Sequence, residues 1–295
     1  MDGSIFKGLG VAMVTPFKAD GSVDFEGLKN LTSHLVDAHT EYLVVMGTTG
    51  ESATLTKEEK LEVLETVKSV AKGKSKIVWG CGGNNTAVVA KEIAGVEKLG
   101  VDGILSVSPA YNKPTQEGIY MHYATLAKAT SLPIILYNVP GRTASNMLAE
   151  TTLKLAIDFS NIVAIKEASG NLEQIGDIIK AKPDHFEVIS GDDGLSLPIL
   201  AMGGIGVISV VGNAFPTEFR EMIHATINSD LELARERHYQ LHNMMQLLFK
   251  EGNPGGIKEA LRLKGICENY VRLPLVPVSK SLSDKIRENI LSEAL

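Results

Sequence analysis

Eight short apolar runs, each followed by a segment of helical spacing, occupy about 225 residues of this chain, and that alternation limits the fold to the parallel α/β class. Residues 9–16, 42–46, 77–79, 103–107, 133–138, 162–165, 186–189 and 206–211 read as the strands. Between them, Asp24 N-caps a helix whose apolar positions are Phe25, Leu28, Leu31, Leu35 and Val36. Thr56 with Glu59 three residues later forms a capping box for the second helix, and Thr86 starts the third. Further helices are expected over 115–129, 148–159, 171–181, 195–202 and 216–227, the last with a proline near its start. Eight units with short connections predict a (β/α)8 TIM barrel. An open doubly wound sheet is the alternative, but no Gly-x-Gly-x-x-Gly follows the first strand.

After residue 229 the strands stop. Residues 231–249 read as one long amphipathic helix, which Asn253-Pro254-Gly255-Gly256 breaks. A helix over 257–263, a loop over 272–279 and a last helix after Ser283 complete a helical appendage. The expected division is therefore a catalytic barrel over 1–229 and a C-terminal helical domain over 230–295.

Composition narrows the function. A net charge of −6 without any Lys/Arg block argues against nucleic acid as a partner. Two cysteines, Cys81 and Cys267, are too few and too far apart for a zinc motif or a disulfide framework. Residues 1–10 lack the apolar core of a secretory leader, and no run is long enough to span a membrane. A cytoplasmic location is the expectation.

In a barrel of this kind the chemistry sits at the C-terminal ends of the strands and in the loops after them. Those positions hold Thr15, Thr48, Thr49, Gly82, Tyr111, Tyr137, Asn138, Arg142, Lys166, Gly191 and Asn213. They hold no histidine and no spread of carboxylates, so a metal-dependent mechanism has little support. Asp192-Asp193 offers two carboxylates, but nothing supplies the remaining ligands. There is no Walker phosphate loop. Lys166 follows the largely β-branched run 162–165 directly. In one reading its stem lies against apolar walls, burial disfavours the ammonium, and the amine serves as a nucleophile. In the other the lysine snorkels to water. A tyrosine relayed through another hydroxyl could shuttle the proton that imine formation requires. The Gly47-Thr48-Thr49-Gly50 turn could present N–H groups to a carboxylate, and Arg142 could grip a second one. Taken singly, the threonines could be plain turn residues, Tyr137 a core aromatic and Arg142 half of a surface ion pair. Their arrival at successive strand ends favours chemistry.

Three motifs, Gly47-Thr48-Thr49-Gly50-Glu51, Tyr137-Asn138-Val139-Pro140-Gly141-Arg142-Thr143 and Ile165-Lys166-Glu167-Ala168 with Gly191-Asp192-Asp193, resemble the dihydrodipicolinate synthase branch of the pyruvate-dependent Schiff-base aldolases. The likeness spans essentially the whole chain. It implies a lyase without a cofactor, in which Lys166 forms the imine with pyruvate and the enamine attacks L-aspartate 4-semialdehyde. The product would be 4-hydroxy-tetrahydrodipicolinate, on the route to diaminopimelate and lysine. The resemblance further implies that Tyr137 moves protons near the imine and that Thr48 links it to Tyr111, which reaches a neighbouring subunit. Thr49 would hold the pyruvate carboxylate, Arg142 the carboxylate of the aldehyde, and Gly191 and Ile208 would offer backbone carbonyls. The implied assembly is a homotetramer, a dimer of tight dimers.

One departure stands out. Lysine-inhibited members of the family carry an aromatic residue and an acid where this chain has Ala110 and Val88, and often histidines where it has Lys57 and Lys60. Ser52, Ala53 and Asn84 still match. Weak or absent feedback by lysine is therefore expected. The rival readings are a sister lyase acting on N-acetylneuraminate or 2-keto-3-deoxy sugar acids, and a catalytically silent barrel used as a binding module.

Overall fold

The computed structural model describes residues 5–292. Its strands are β1 (Gly8–Ala12), β2 (Tyr42–Val45), β3 (Lys76–Gly82), β4 (Gly103–Val107), β5 (Ile134–Asn138), β6 (Ile162–Glu167), β7 (Glu187–Ser190) and β8 (Gly206–Ser209). They follow one another in chain order around a closed parallel barrel. β1, β2 and β5 are buried at every position, as strands covered on both faces must be, and for that reason they read as near-continuous apolar runs.

The helices are α1 (Phe25–Asp37), α2 (Lys57–Ala71), α3 (Thr86–Val96), α4 (Gln116–Ala127), α5 (Pro140–Thr143), α6 (Ala149–Asp158), α7 (Leu172–Ala181), α8 (Ser196–Ala201), α9 (Pro216–Ile227), α10 (Leu231–Phe249), α11 (Gly255–Leu263) and α12 (Lys280–Ser292). Local signals start most of them. The Asp24 carboxylate accepts from the Gly27 N–H, the Thr56–Glu59 capping box closes in both directions, and Asn171 caps α7 through the Gln174 N–H.

The chain divides into two compact units, one of residues 77–208 with the N-terminal residues up to Lys7, the other of Gly8–Lys76 with the chain from Ser209 onward. In the first unit the ladders run from β3 to β7, with Gly82 opposite Val107, Val107 opposite Tyr137 and Tyr137 opposite Lys166. In the second, β1 pairs with β2, and helices α9 to α12 belong to the same unit.

Three departures from the sequence reading have identifiable causes. The first strand stops at Ala12 rather than residue 16, because the Val14 N–H turns away to the Asn213 side chain at 3.1 Å. The four-residue helix α5 was not expected, and it starts on a proline whose fixed φ suits a first helical position. The last helix begins at Lys280, ahead of Ser283. The Ser279 hydroxyl accepts from the Leu282 N–H at 3.2 Å, while the Ser283 hydroxyl bonds to the Glu259 carboxylate. Among the described residues, no helix is long and apolar enough to cross a membrane.

Candidate active site

Lys166 occupies the fifth of six positions in β6, aligned with Tyr137 on β5 and Ile189 on β7. Partners in a parallel ladder share a face, so lysine and tyrosine emerge side by side. Lys166 is 5% exposed and Tyr137 7%. The Lys166 Nζ lies 4.2 Å from the centre of the Tyr137 ring. An amine so placed does not snorkel to water, so the surface reading of Lys166 fails.

The turn after β7 is shaped around this lysine. A Cβ at Gly191 would lie 2.9 Å from Lys166 Cε and 3.0 Å from its Cγ, closer than carbon atoms pack. Only glycine leaves the stem its path. The Gly191 N–H donates to the Glu167 carbonyl at 2.7 Å, which ties the turn back to β6. Ile208 is buried within β8.

Alternation along β6 turns Glu167 away from Lys166 and into a closed polar cluster. Glu167 Oε1 accepts from Asn138 Nδ2 at 2.7 Å and from Gln174 Nε2 at 2.9 Å. Its Oε2 accepts from the Ser169 hydroxyl at 2.5 Å and from the Ser169 N–H at 3.2 Å. Asn138 reaches onward to Asn146, and its Oδ1 accepts from the Met147 N–H. Burial pushes the Glu167 carboxyl above its ordinary range, and the four donated bonds oppose that shift. The cluster ties the ends of β5 and β6, the strands that carry Tyr137 and Lys166, to each other and to α7. The strand-end rule picked out Asn138, but it gave Glu167 no role. The available signal was a polar residue closing each of two neighbouring buried strands.

Tyr111 and Arg142 lie on linked segments. Asn84 pins Ala110 by two hydrogen bonds, donating to its carbonyl at 2.7 Å and accepting from its N–H at 2.8 Å. The next residue, Tyr111, has φ 69° and is 90% exposed. Its N–H donates to the carbonyl of Thr143, the residue after Arg142. Arg142 is exposed on α5, and no acidic side chain among the described residues pairs with it. The surface ion-pair reading of Arg142 therefore has no partner to name.

In the second unit, residues 48–50 form a single 3-10 turn directly after β2. The Gly50 and Glu51 N–H groups close that turn onto the Gly47 and Thr48 carbonyls, both near 3 Å. The N–H groups of Thr48 and Thr49 precede the first closing bond, the position in a helical turn that lacks an internal acceptor. Thr49 is buried, Thr48 is exposed, and the Thr15 hydroxyl holds the Gly50 carbonyl at 2.7 Å. Asn213, another strand-end candidate, is spent on backbone, donating to the Ala12 and Val210 carbonyls. The Asp192 Oδ1 accepts from the Gly194 N–H at 3.0 Å. Both cysteines are buried and unbridged, and burial drives the Cys267 thiol up to about 12.

Known proteins resemble this chain along nearly its whole length. The family model for the dihydrodipicolinate synthetase family matches residues 5–293. The 4-hydroxy-tetrahydrodipicolinate synthase of Parabacteroides distasonis is 52% identical over 282 residues, which cover 96% of this chain and 95% of that protein. The crystal structure of dihydrodipicolinate synthase from Aquifex aeolicus superposes with a TM-score of 0.95 at 44% identity, covering 98% of this chain and 99% of that one. The chloride-inhibited enzyme from Acinetobacter baumannii, solved in complex with pyruvate, gives a TM-score of 0.95 at 36% identity over 98% of this chain and 99% of that one. With the match running through every strand and helix described above, the chain belongs to the dihydrodipicolinate synthetase family.

Proposed function

We propose that the chain condenses pyruvate with L-aspartate 4-semialdehyde through an imine on Lys166, giving 4-hydroxy-tetrahydrodipicolinate. The observation that carries this reading is the buried Lys166 amine beside the Tyr137 ring at the C-terminal end of β6. The amine attacks the ketone carbon of pyruvate, and the carbinolamine loses water as its hydroxyl receives a proton. In this reading Tyr137 supplies that proton. Loss of a proton from the methyl carbon then gives the enamine, whose carbon bonds to the aldehyde carbon of the second substrate. Attack by that substrate's own amino group on the imine carbon releases Lys166 and closes the ring. No metal or cofactor is needed.

The remaining roles follow the family pattern that these residues match. Thr48 relays protons between Tyr137 and Tyr111. The Thr49 hydroxyl and the N–H groups of the turn take the pyruvate carboxylate. Arg142, with no acidic partner among the described residues, takes the carboxylate of the semialdehyde, for which a planar guanidinium is well suited. Gly191 and Ile208 contribute carbonyls that accept hydrogen bonds. The catalytic barrel spans 1–229 and the helical appendage 230–295. The enzyme works in the cytoplasm, in diaminopimelate and lysine biosynthesis, as a homotetramer in which Tyr111 serves a partner's site. Support for that last role is the phenol, projected outward from a left-handed backbone position.

Turnover of the two substrates, with cleavage of N-acetylneuraminate and 2-keto-3-deoxygluconate assayed alongside, tests the choice of aldehyde. The reading expects condensation to exceed either cleavage by at least about a hundredfold in kcat/KM. Efficient cleavage with no condensation would transfer the chain to the sister lyases.

A further inference from the structure

The C-terminal helices of the second unit reach the turn after β2 with polar groups. α10 ends at Phe249 and α11 begins at Gly255. The reversal is tight, since a Cβ at Gly256 would stand 2.2 Å from the Leu248 carbonyl oxygen. It carries Asn253 inward to 8% exposure, where Nδ2 donates to Thr49 Oγ1 at 2.9 Å. The Asn253 Oδ1 is buried with no hydrogen-bond partner among the described residues.

A second tie lies one turn along α11. Lys258 is 0% exposed and donates to Glu51 Oε1 at 2.5 Å and to the Tyr270 carbonyl at 2.7 Å, with its Nζ over the Phe17 ring. Glu51 ends the Thr48–Gly50 turn at φ 52°, a left-handed conformation that costs free energy for a residue with a Cβ. Its other oxygen accepts from the Arg272 N–H at 3.0 Å. Both carboxylate oxygens are thus anchored to the C-terminal segment, and the anchorage sustains the strained backbone that closes the turn.

A threonine hydroxyl that accepts one hydrogen bond keeps its own proton to donate elsewhere. We propose that Asn253 is a positioning residue for the α-keto acid, fixing the Thr49 hydroxyl as a donor to the substrate carboxylate while the Glu51–Lys258 pair holds the turn's backbone. The inference rests on the reading that this turn receives the carboxylate of pyruvate. It gives the C-terminal helices a part in substrate binding.

Borohydride trapping of the pyruvate imine, run without aldehyde over a range of pyruvate concentrations, isolates this step. Asn253→Ala should raise the half-saturating pyruvate concentration about tenfold or more, the scale of a hydrogen bond made to a charged group. The isosteric Asn253→Asp cannot donate to Thr49 and should raise it at least as far, which covers a failure of the alanine variant to fold. The KM for the aldehyde should stay within about twofold of wild type, because that substrate is held elsewhere. In a Thr49→Val background, Asn253→Ala should add no more than about a further twofold, since the effect passes through the hydroxyl. Unchanged half-saturation in folded variants, or the same effect with and without the Thr49 hydroxyl, overturns the proposal. Absence of any adduct on the wild-type chain overturns the Lys166 reading itself, and this inference with it.

Discussion

Gly191 and Lys166 constrain one another, because the lysine stem passes where a side chain at 191 would begin. Gly191→Ala must displace the lysine stem, the turn or the Ala168 side chain, which a Cβ would also meet at 2.9 Å. We expect kcat/KM to fall by about tenfold or more with little change in melting temperature, measured by steady-state kinetics and thermal unfolding. An unaffected rate would show that the stem moves aside at no cost. At the same scale, Val88 is exposed on α3 and Ala110 is held by Asn84, leaving neither an aromatic wall nor a carboxylate at the two positions where the resemblance to lysine-inhibited members expects them. Lysine titrated into the assay should leave the rate unchanged at sub-millimolar concentration. Inhibition in that range would contradict the reading of those two positions. Lys166 and Gly191 were legible in the sequence because their neighbours form motifs at strand ends, and Val88 and Ala110 through the family resemblance. The steric reason for Gly191 was not, since it lies in a contact between residues 25 positions apart.

The elements themselves were mostly readable, because their signals are local. Periodicity, N-caps and prolines placed eight strands and nearly all helices within a few residues. The strand ends were not readable from the same signals. β1 ends early because of Asn213, a side chain 199 residues away. The Glu167 cluster escaped for the same reason, as its bonds to Asn138 and Gln174 join separate elements. Arg272 is a third case. In a loop that reads as structureless, its guanidinium donates to the Glu59 carboxylate and to the Gly21 and Thr54 carbonyls, tying the C-terminal segment to α2. The Arg272 bonds hold the Glu59 carboxyl down from 4.5 to about 2. Between those values the folded chain keeps Glu59 charged while the unfolded chain binds a proton. The contribution is therefore complete above pH 4.5 and lost as the pH falls towards about 2. Arg272→Gln should be less stable than wild type at neutral pH, and the gap in urea unfolding should narrow as the pH drops through that window. A gap independent of pH would assign the role of Arg272 to its carbonyl contacts alone.

For the whole molecule, the eightfold alternation led to the closed barrel, and the helices after residue 229 were recognisable by the loss of strands. Their reach towards the Thr48–Thr49 turn was not, because Asn253 and Lys258 read as parts of a helix break and an amphipathic helix. Assembly belongs to this scale as well. Sedimentation should give a tetramer, and Tyr111→Phe should lower kcat with little change in KM, because the role proposed for the phenol is proton transfer in the partner's site. A fully active Tyr111→Phe enzyme would remove that residue from the relay. The central claim is that the Lys166 amine forms the covalent bond, and peptide mass spectrometry after borohydride reduction in the presence of pyruvate tests it most directly. The account predicts a reduced pyruvate adduct on Lys166 of the wild type, and neither adduct nor turnover in a folded Lys166→Ala variant. An adduct on another lysine, or condensation that survives in Lys166→Ala, would contradict it.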